Sequence, residues 1–319
     1  MPDVSVIVAV YNAESYLHSG FQGIHEQTLL DCEVIIVDDG STDGTGLICD
    51  EFARQDARVR VVHNNHQGVA HARQVGIENA CGKYTIHVDA DDEIEPAMLE
   101  KMYLAAEKER ADMLICDYKE KNRDGEVYHC QRPTRLDAKA VLNDLVDGKL
   151  YGSLWNKLIR TSCYREHDVR FRQALTMRED MFFIFDVMPY MESIAYLPKA
   201  FYTYDKTSNA NSLTNTYLVE NRHYYDQEIL WHQVALENAL VGDAQKVRLR
   251  NALMNDAYIT LSGHFFSKEE WQQQFSCYLQ HIEEASPFYK RWLVIRALNG
   301  HYRFSSNIRK LIAKIKSSI

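Results

Sequence analysis

Two groups of carboxylates follow apolar runs in this chain: Val34-Ile-Ile-Val-Asp38-Asp39-Gly40-Ser41 and Tyr84-Thr-Ile-His-Val-Asp89-Ala90-Asp91-Asp92. Carboxylates at the carboxyl ends of parallel strands face the crevice in which open α/β sheets bind ligands. Asp89 and Asp91 are two apart, so on extended chain they project to one side. Hard oxygen ligands of this kind suit Mg²⁺ or Mn²⁺ held against a diphosphate, whose departure the ion assists as a Lewis acid. The competing reading is a solvated acidic turn before a helix opened by Pro96, where negative charge is favourable. At the other strand end, one aspartate can accept the imino N–H of uracil. Ser41, Thr42 and Asp43 equally suit a turn and a helix cap. We assign the ligand to Asp39 and allow its neighbour to be structural.

Three further sites carry weaker signals. Tyr11 ends the run Val4-Ser-Val-Ile-Val-Ala-Val10 and could stack on a nucleobase or simply cap the sheet. Arg73, in Gly68-Val-Ala-His-Ala-Arg73, lies within two turns of a glycine helix entry and could meet a phosphate or a base; an exposed surface arginine is the commoner outcome. Glu179-Asp180 enters the aromatic segment Met181-Phe-Phe. Either acid could serve as a general base beside a dry pocket or cap the helix, and physical chemistry alone does not choose. Neither Gly-x-x-x-x-Gly-Lys-Ser/Thr nor Gly-x-Gly-x-x-Gly occurs, which removes the usual P-loop and dinucleotide signatures.

The elements that must hold these residues alternate. Strand-like runs at 4–10, 34–37, 59–63, 84–88 and 113–116 are separated by helical stretches near 14–27, 45–55, 68–79 and 96–109. This order predicts a doubly wound, mainly parallel sheet. A hairpin is expected over 118–131, a helix at 138–146, an aromatic helix at 180–188 and a strand at 200–204. From 217 onward the pattern is helical (217–240, 243–265, 268–284 and two shorter basic pieces). We therefore expect a catalytic domain over 1–212 and a helical C-terminal region over 213–319.

Taken in order, these motifs resemble the bacterial inverting glycosyltransferases of family 2, which have the GT-A fold. The likeness is carried by Val4–Asn12, Glu33–Thr45, Gly68–Arg73, Gly82–Asp92 and Trp155-Asn-Lys157-Leu followed by Glu179-Asp180. It is strong to about residue 117 and weaker to about 212. The resemblance implies that Tyr11 and Asp39 hold the uracil, with Arg73 near the nucleotide. It places Asp89 by the ribose and Asp91 on the metal. It makes Asp180 the base that deprotonates the acceptor hydroxyl, with Glu179 beside it, and makes Trp155 and Lys157 walls of the sugar and acceptor pocket. Gln74 and His66 depart from the family pattern, both at positions expected on the nucleotide side.

The expected activity is metal-dependent inverting transfer from a UDP-sugar to a carbohydrate, lipid-linked or protein acceptor, in surface polysaccharide, glycolipid or glycoprotein assembly. The alternatives are a silent nucleotide-sugar-binding protein and a nucleotidyltransferase. The latter would want a glycine-rich basic loop near the N-terminus, and 9–14 has neither glycine nor a basic residue. Net charge is −9, which argues against nucleic acid as a partner. The charge is uneven: residues 286–319 hold eight Lys/Arg and no Asp/Glu, so the rest of the chain carries −17. Ile308, Leu311, Ile312 and Ile315 fall on one helical face among these cations, as expected for a helix on an anionic membrane surface or one packed on the acidic body. The seven scattered cysteines, with no Cys-x-x-Cys, predict reduced and mostly buried thiols. We expect a cytoplasmic location, peripheral on the inner face of the membrane.

Overall fold

The computed structural model describes residues 1–209, 222–261, 265–279 and 288–316. The chain divides into two compact units, Met1–Ser212 and Leu213–Ile319.

The first unit is built on one nine-stranded sheet. Its parallel half comprises β1 (Val4–Val10), β2 (Cys32–Asp38), β3 (Val59–His63) and β4 (Tyr84–His87), in the order β3-β2-β1-β4. Helices α1 (Leu17–His25), α2 (Thr45–Gln55) and α3 (Val69–Asn79) link these strands. Strands β1 and β2 are Val/Ile-rich and buried on both faces, as crossover helices require, while β3 at the edge is partly exposed. The sheet continues beyond β4 as β8-β6-β9-β5. These strands are β5 (Glu93–Ile94), β6 (Met113–Asn122), β8 (Lys157–Arg160) and β9 (Ile194–Asp205), while β7 (Gly125–His129) pairs with β6 as the expected hairpin. Here the pairing is mixed: β8 runs antiparallel to β4 and β6, and β9 runs parallel to β6. Helices α4 (Met98–Glu109), α5 (Ala138–Val146), α6 (Thr161–Arg165) and α7 (Glu179–Val187) complete the unit.

Three expectations need amending. Strand β8 was not anticipated, because four residues, Lys157-Leu-Ile-Arg160, carry too little pattern to read. Strand β9 begins at Ile194, six residues before the expected start at 200, since its middle, Leu197-Pro-Lys-Ala200, bulges against β6 and breaks the alternation. Strand β6 runs on to Asn122, into the hairpin.

The second unit is helical in its described residues: α8 (Arg222–Glu237), α9 (Asp243–Thr260), α10 (Lys268–Leu279), α11 (Phe288–Arg296) and α12 (Tyr302–Lys316). Its core gathers Trp271, Phe275, Leu253, Met254 and Leu293. The expected helical residues 217–221, 262–264 and 280–284 lie outside the described residues. All seven cysteines are free; Cys32, Cys49, Cys116 and Cys163 are buried, and Cys81, Cys130 and Cys277 are exposed. Among the described residues no helix is long and apolar enough to cross a membrane.

Candidate active site

Register places the chemistry. Val10 pairs with Asp38 and Ile7 with His87. The segments that follow β1, β2 and β4 therefore leave the sheet together at one edge. Two non-glycine residues at this edge adopt positive φ: Asn12 (48°) and Arg178 (58°). Such conformations are costly and gather where the surrounding structure enforces them. Asn12 is held by Ser41 Oγ, which accepts its N–H at 3.0 Å, and by its own Oδ1, which accepts from Thr42 N–H at 2.8 Å. Arg178 is the N-cap residue of α7, so its turn aims Glu179 and Asp180.

Arg73 is the hub. It is buried, contrary to the surface position that its sequence context favoured. Its Nη2 donates to Asp89 Oδ1 at 3.1 Å and its Nε to Glu179 Oε1 at 3.2 Å. Asp180 Oδ1 lies 3.3 Å from the same Nε. One guanidinium from α3 thus joins the acid after β4 to both acids opening α7. Burial opposes its charge, but Asp180, Asp89 and Glu179 outweigh that and hold it protonated. It also helps burial to push His87 well below the usual imidazole range.

Asp180 has unequal oxygens. Leu154 N–H donates to Oδ2 at 3.0 Å, while Oδ1 is buried and has no hydrogen-bond partner. Burial pushes its pKa up to about 7; Arg73 pulls it down, and the negative charges of Glu179 and Asp89 add to the rise. A carboxylate poised near neutrality with one oxygen free of hydrogen bonds suits a general base. Glu179, by contrast, is committed to Arg73.

At the other end of the edge, Tyr11 is 42% exposed and stacks on His66, with ring centroids 4.0 Å apart. Asp39 is buried beneath them. Its carboxylate accepts from Gln67 N–H at 3.1 and 3.2 Å and from Gly68 N–H at 2.7 Å, and it pairs with His66 Nδ1 at 2.9 Å. Gly68 has φ 95°, which frees its N–H for this contact at the entry of α3. Asp38 is equally engaged, by Ser41 N–H and His63. Asp39 therefore shapes the α3 entry, whatever else it binds. Of the two departures from the family pattern, only His66 belongs to this corner. Gln74 is buried elsewhere, donating to Glu78 and accepting from Phe171 N–H.

Asp91 and Asp92 differ in the same way. Asp92 is structural: Tyr202 O–H donates to it at 2.6 Å and Asp205 N–H at 2.8 Å. Asp91 accepts from Asn209 Nδ2 at 3.0 Å. Burial, then the charge of Asp89, raises the Asp91 pKa. Crowded hard-oxygen donors of this kind fit a divalent cation. Among the described residues no group of three His, Cys, Asp or Glu side chains could hold a metal by itself, so phosphate oxygens would have to complete a shell. The loop is seated by Gly20 of α1, where a Cβ would stand 2.2 Å from Ala90 O.

Trp155 and Lys157 lie inside the protein. Trp155 is buried, stacked on Tyr202 (4.4 Å) and edge-on to Tyr118 (4.8 Å), with Tyr151 at 5.7 Å on its outer side. The exposed ring of this group is Tyr151. The Lys157 ammonium faces Tyr151 O, Ser153 O and Asn156 Oδ1. Sequence reasoning missed Tyr202, whose hydroxyl also accepts Asp89 N–H at 3.1 Å, as well as Asn209 and Leu154 N–H. No local pattern marks them, because their roles depend on contacts across 26 to 118 positions.

This arrangement matches known proteins. EpsH of Bacillus subtilis (strain 168) is 36% identical over 211 residues, 64% of this chain and 60% of that protein. The chain thus spans about three fifths of that relative's length. S. aureus TarS 1-349 in complex with UDP-GlcNAc superposes with TM-score 0.71 at 22% identity, covering 98% of this chain and 92% of that one. The mannosyltransferase PcManGT from Pyrobaculum calidifontis, in complex with GDP-Man and Mn²⁺, gives 0.52 at 17%, covering 97% and 87%. Likeness at these identities shows the fold, which is GT-A. Residues 5–178 match the glycosyl transferase family 2 description, stopping just before Glu179, so that strand ends, Arg73 hub and sequence agree: the chain belongs to glycosyl transferase family 2.

Proposed function

We propose that this protein transfers a sugar from a UDP-sugar to an acceptor hydroxyl with inversion at the anomeric carbon. The observation that carries this reading is Asp180: buried, raised toward neutrality, with one oxygen held by Leu154 N–H and the other, beside Arg73, without a hydrogen bond. The base accepts the acceptor's proton as the hydroxyl attacks the anomeric carbon from the side opposite the diphosphate. A single displacement inverts the centre, so no protein nucleophile is needed. Arg73 fixes the base's orientation and keeps Glu179 and Asp89 from repelling it out of place.

Tyr11, backed by His66, offers an aromatic face to the uracil, and Asp39 offers its carboxylate at the same corner. The TarS complex with UDP-GlcNAc supports the choice of uridine. Asp89 lies between the nucleotide side and the base and would meet the ribose. Asp91, with Asp89 beside it, would hold Mn²⁺ or Mg²⁺, and PcManGT is a relative in fold whose complex contains Mn²⁺. When bound, such an ion neutralises diphosphate charge. The aromatic group of Tyr151, Trp155 and Tyr202 would back the acceptor side.

The acceptor would be a surface-polysaccharide or glycolipid precursor. The basic helices α11 and α12 would bring the protein to an anionic membrane surface where a lipid-linked acceptor resides. The test is UDP release from UDP-GlcNAc, UDP-glucose, UDP-galactose and UDP-glucuronate with Mn²⁺, with and without acceptor extract. Turnover of one donor, stimulated by acceptor, is expected. Binding of UDP without release from any donor would leave a nucleotide-sugar-binding protein instead.

A further inference from the structure

The turn that reaches Asp180 is gathered by one side chain. Lys157, at the start of β8, is 1% exposed. Its Nζ donates to Tyr151 O at 2.8 Å, Ser153 O at 2.7 Å and Asn156 Oδ1 at 2.8 Å. Three acceptors around one nitrogen match the three N–H donors of an ammonium. The turn is also tied down elsewhere. Asn156 Nδ2 donates to Cys116 O at 2.9 Å, Cys116 N–H donates to Asn156 O at 3.0 Å, and Ser153 Oγ donates to Asn156 Oδ1 at 3.2 Å. Leu154, whose N–H holds Asp180 Oδ2, lies between two of the lysine's anchors.

All three hydrogen-bond partners of Lys157 are neutral oxygens. A buried cation with neutral partners is costly to desolvate, and an apolar side chain here would leave three buried oxygens without their donor. Burial accordingly pulls its pKa down to about 7, and Asp180 is the foremost group opposing that fall. The lysine charge and the base charge thus support each other inside the protein, although the two do not share a hydrogen bond.

We infer that Lys157 is a positioning residue for the proton acceptor. It fixes the Tyr151–Asn156 turn so that Leu154 N–H pins one Asp180 oxygen and leaves the other for the incoming hydroxyl, and its charge favours the ionised base. The inference rests on the reading of Asp180 as the base. The charged and titratable groups around that carboxyl are Glu179 on its own helix, Arg73 from α3, Asp89 beyond β4, Lys157 from β8 and Tyr151 from the turn. Only Arg73 and Lys157 favour ionisation.

The experiment compares Lys157→Met, Lys157→Arg and Asp180→Asn with wild type, following the pH dependence of UDP release from the donor that turns over. Loss of a cation makes the base harder to ionise. Lys157→Met should therefore lower kcat by roughly 10–100-fold, leave KM for the donor unchanged and move the acid limb of the kcat profile to higher pH. Lys157→Arg should keep the limb where it is in wild type. A loss of Lys157→Met activity that lies in KM would make Lys157 a donor contact, and an unmoved acid limb would make it structural; either overturns the inference. If the Met variant does not fold, Lys157→Gln, which keeps two donors without the charge, must show the same shift. Failure of both to fold assigns Lys157 to stability alone. Asp180→Asn separates the two claims: wild-type turnover there removes the base itself, whereas a dead Asp180→Asn with an unmoved Lys157→Met limb removes only the lysine's role.

Discussion

If Asp180 is the base proposed above, it links catalysis to stability through one proton. Its folded-state pKa, about 7, lies above the ordinary 3.8. Between these values the folded protein holds the proton more tightly than the unfolded chain. The stabilisation is complete below 3.8 and is lost as pH rises through about 7. Asp180→Asn, neutral at every pH, should therefore be more stable than wild type at pH 8, by an amount on the order of 2–4 kcal/mol, with the gain shrinking toward pH 4. Denaturant titrations at the two pH values check this; equal stability at pH 8 would mean that Arg73 fully offsets the burial. The same variant should lose transfer by about 10²–10⁴-fold while calorimetry shows unchanged UDP affinity. Arg73→Ala should act in the opposite sense. It leaves three acids without their shared cation, and a loss of about 3–5 kcal/mol is expected by thermal or chemical denaturation. Asp91→Asn should abolish any strengthening of UDP binding by Mn²⁺, read by calorimetry with and without the ion. Identical Mn²⁺ dependence in the variant would remove Asp91 as the metal residue.

At the scale of elements, the acidic loop after β4 is placed by what lies on each side. Helix α1 comes close enough at Gly20 that a methyl group would strike Ala90 O. Strand β9 contributes Tyr202, which holds Asp92 and the Asp89 backbone together. Gly20→Ala must shift the loop or the helix. It should lower stability by about 1–3 kcal/mol and depress kcat as well, which a thermal melt and steady-state rates would show together. Helices with regular apolar spacing were legible; α2 and α5 occupy the expected residues, 45–55 and 138–146. The short strand β8 was not legible. Its identity comes from pairing with β4 and β6, partners more than 40 positions away.

For the molecule as a whole, the charge asymmetry read from the sequence belongs to the helical unit. There Phe288, Trp292, Phe304 and Leu311 are exposed. The Arg296 guanidinium sits 5.2 Å over the Trp292 ring and 4.9 Å over Phe304. Aromatic and cationic side chains side by side are the composition that interfacial helices use, each cation adding about 1 kcal/mol near an anionic surface. On the expected apolar stripe Leu311 is exposed and Ile308 and Ile312 are half-buried; the Ile315 side chain lies outside the described residues. Full-length protein should bind anionic liposomes at low salt, release them at high salt, and lose binding when 301–319 are deleted. Indifference to such liposomes would leave α12 a packing element, and the acceptor need not be a lipid.

The sequence by itself determined the alternation of strands and helices, the acids at the strand ends and the family to which they belong. These are local properties: apolar period, turn residues and motif order are written within a few positions. Only the tertiary structure decided which donors reach each acid. Asp92 and Asp91 are neighbours, yet one is tied to Tyr202 and Asp205 and the other is left with Asn209. Glu179 and Asp180 looked equivalent at a helix entry. Arg73, 106 positions earlier, claims the first by hydrogen bond, and Leu154 N–H, 26 positions earlier, pins the second. A carboxylate's role follows from its burial and from the donors that reach it, and those are set by chain segments that meet only when the sheet closes.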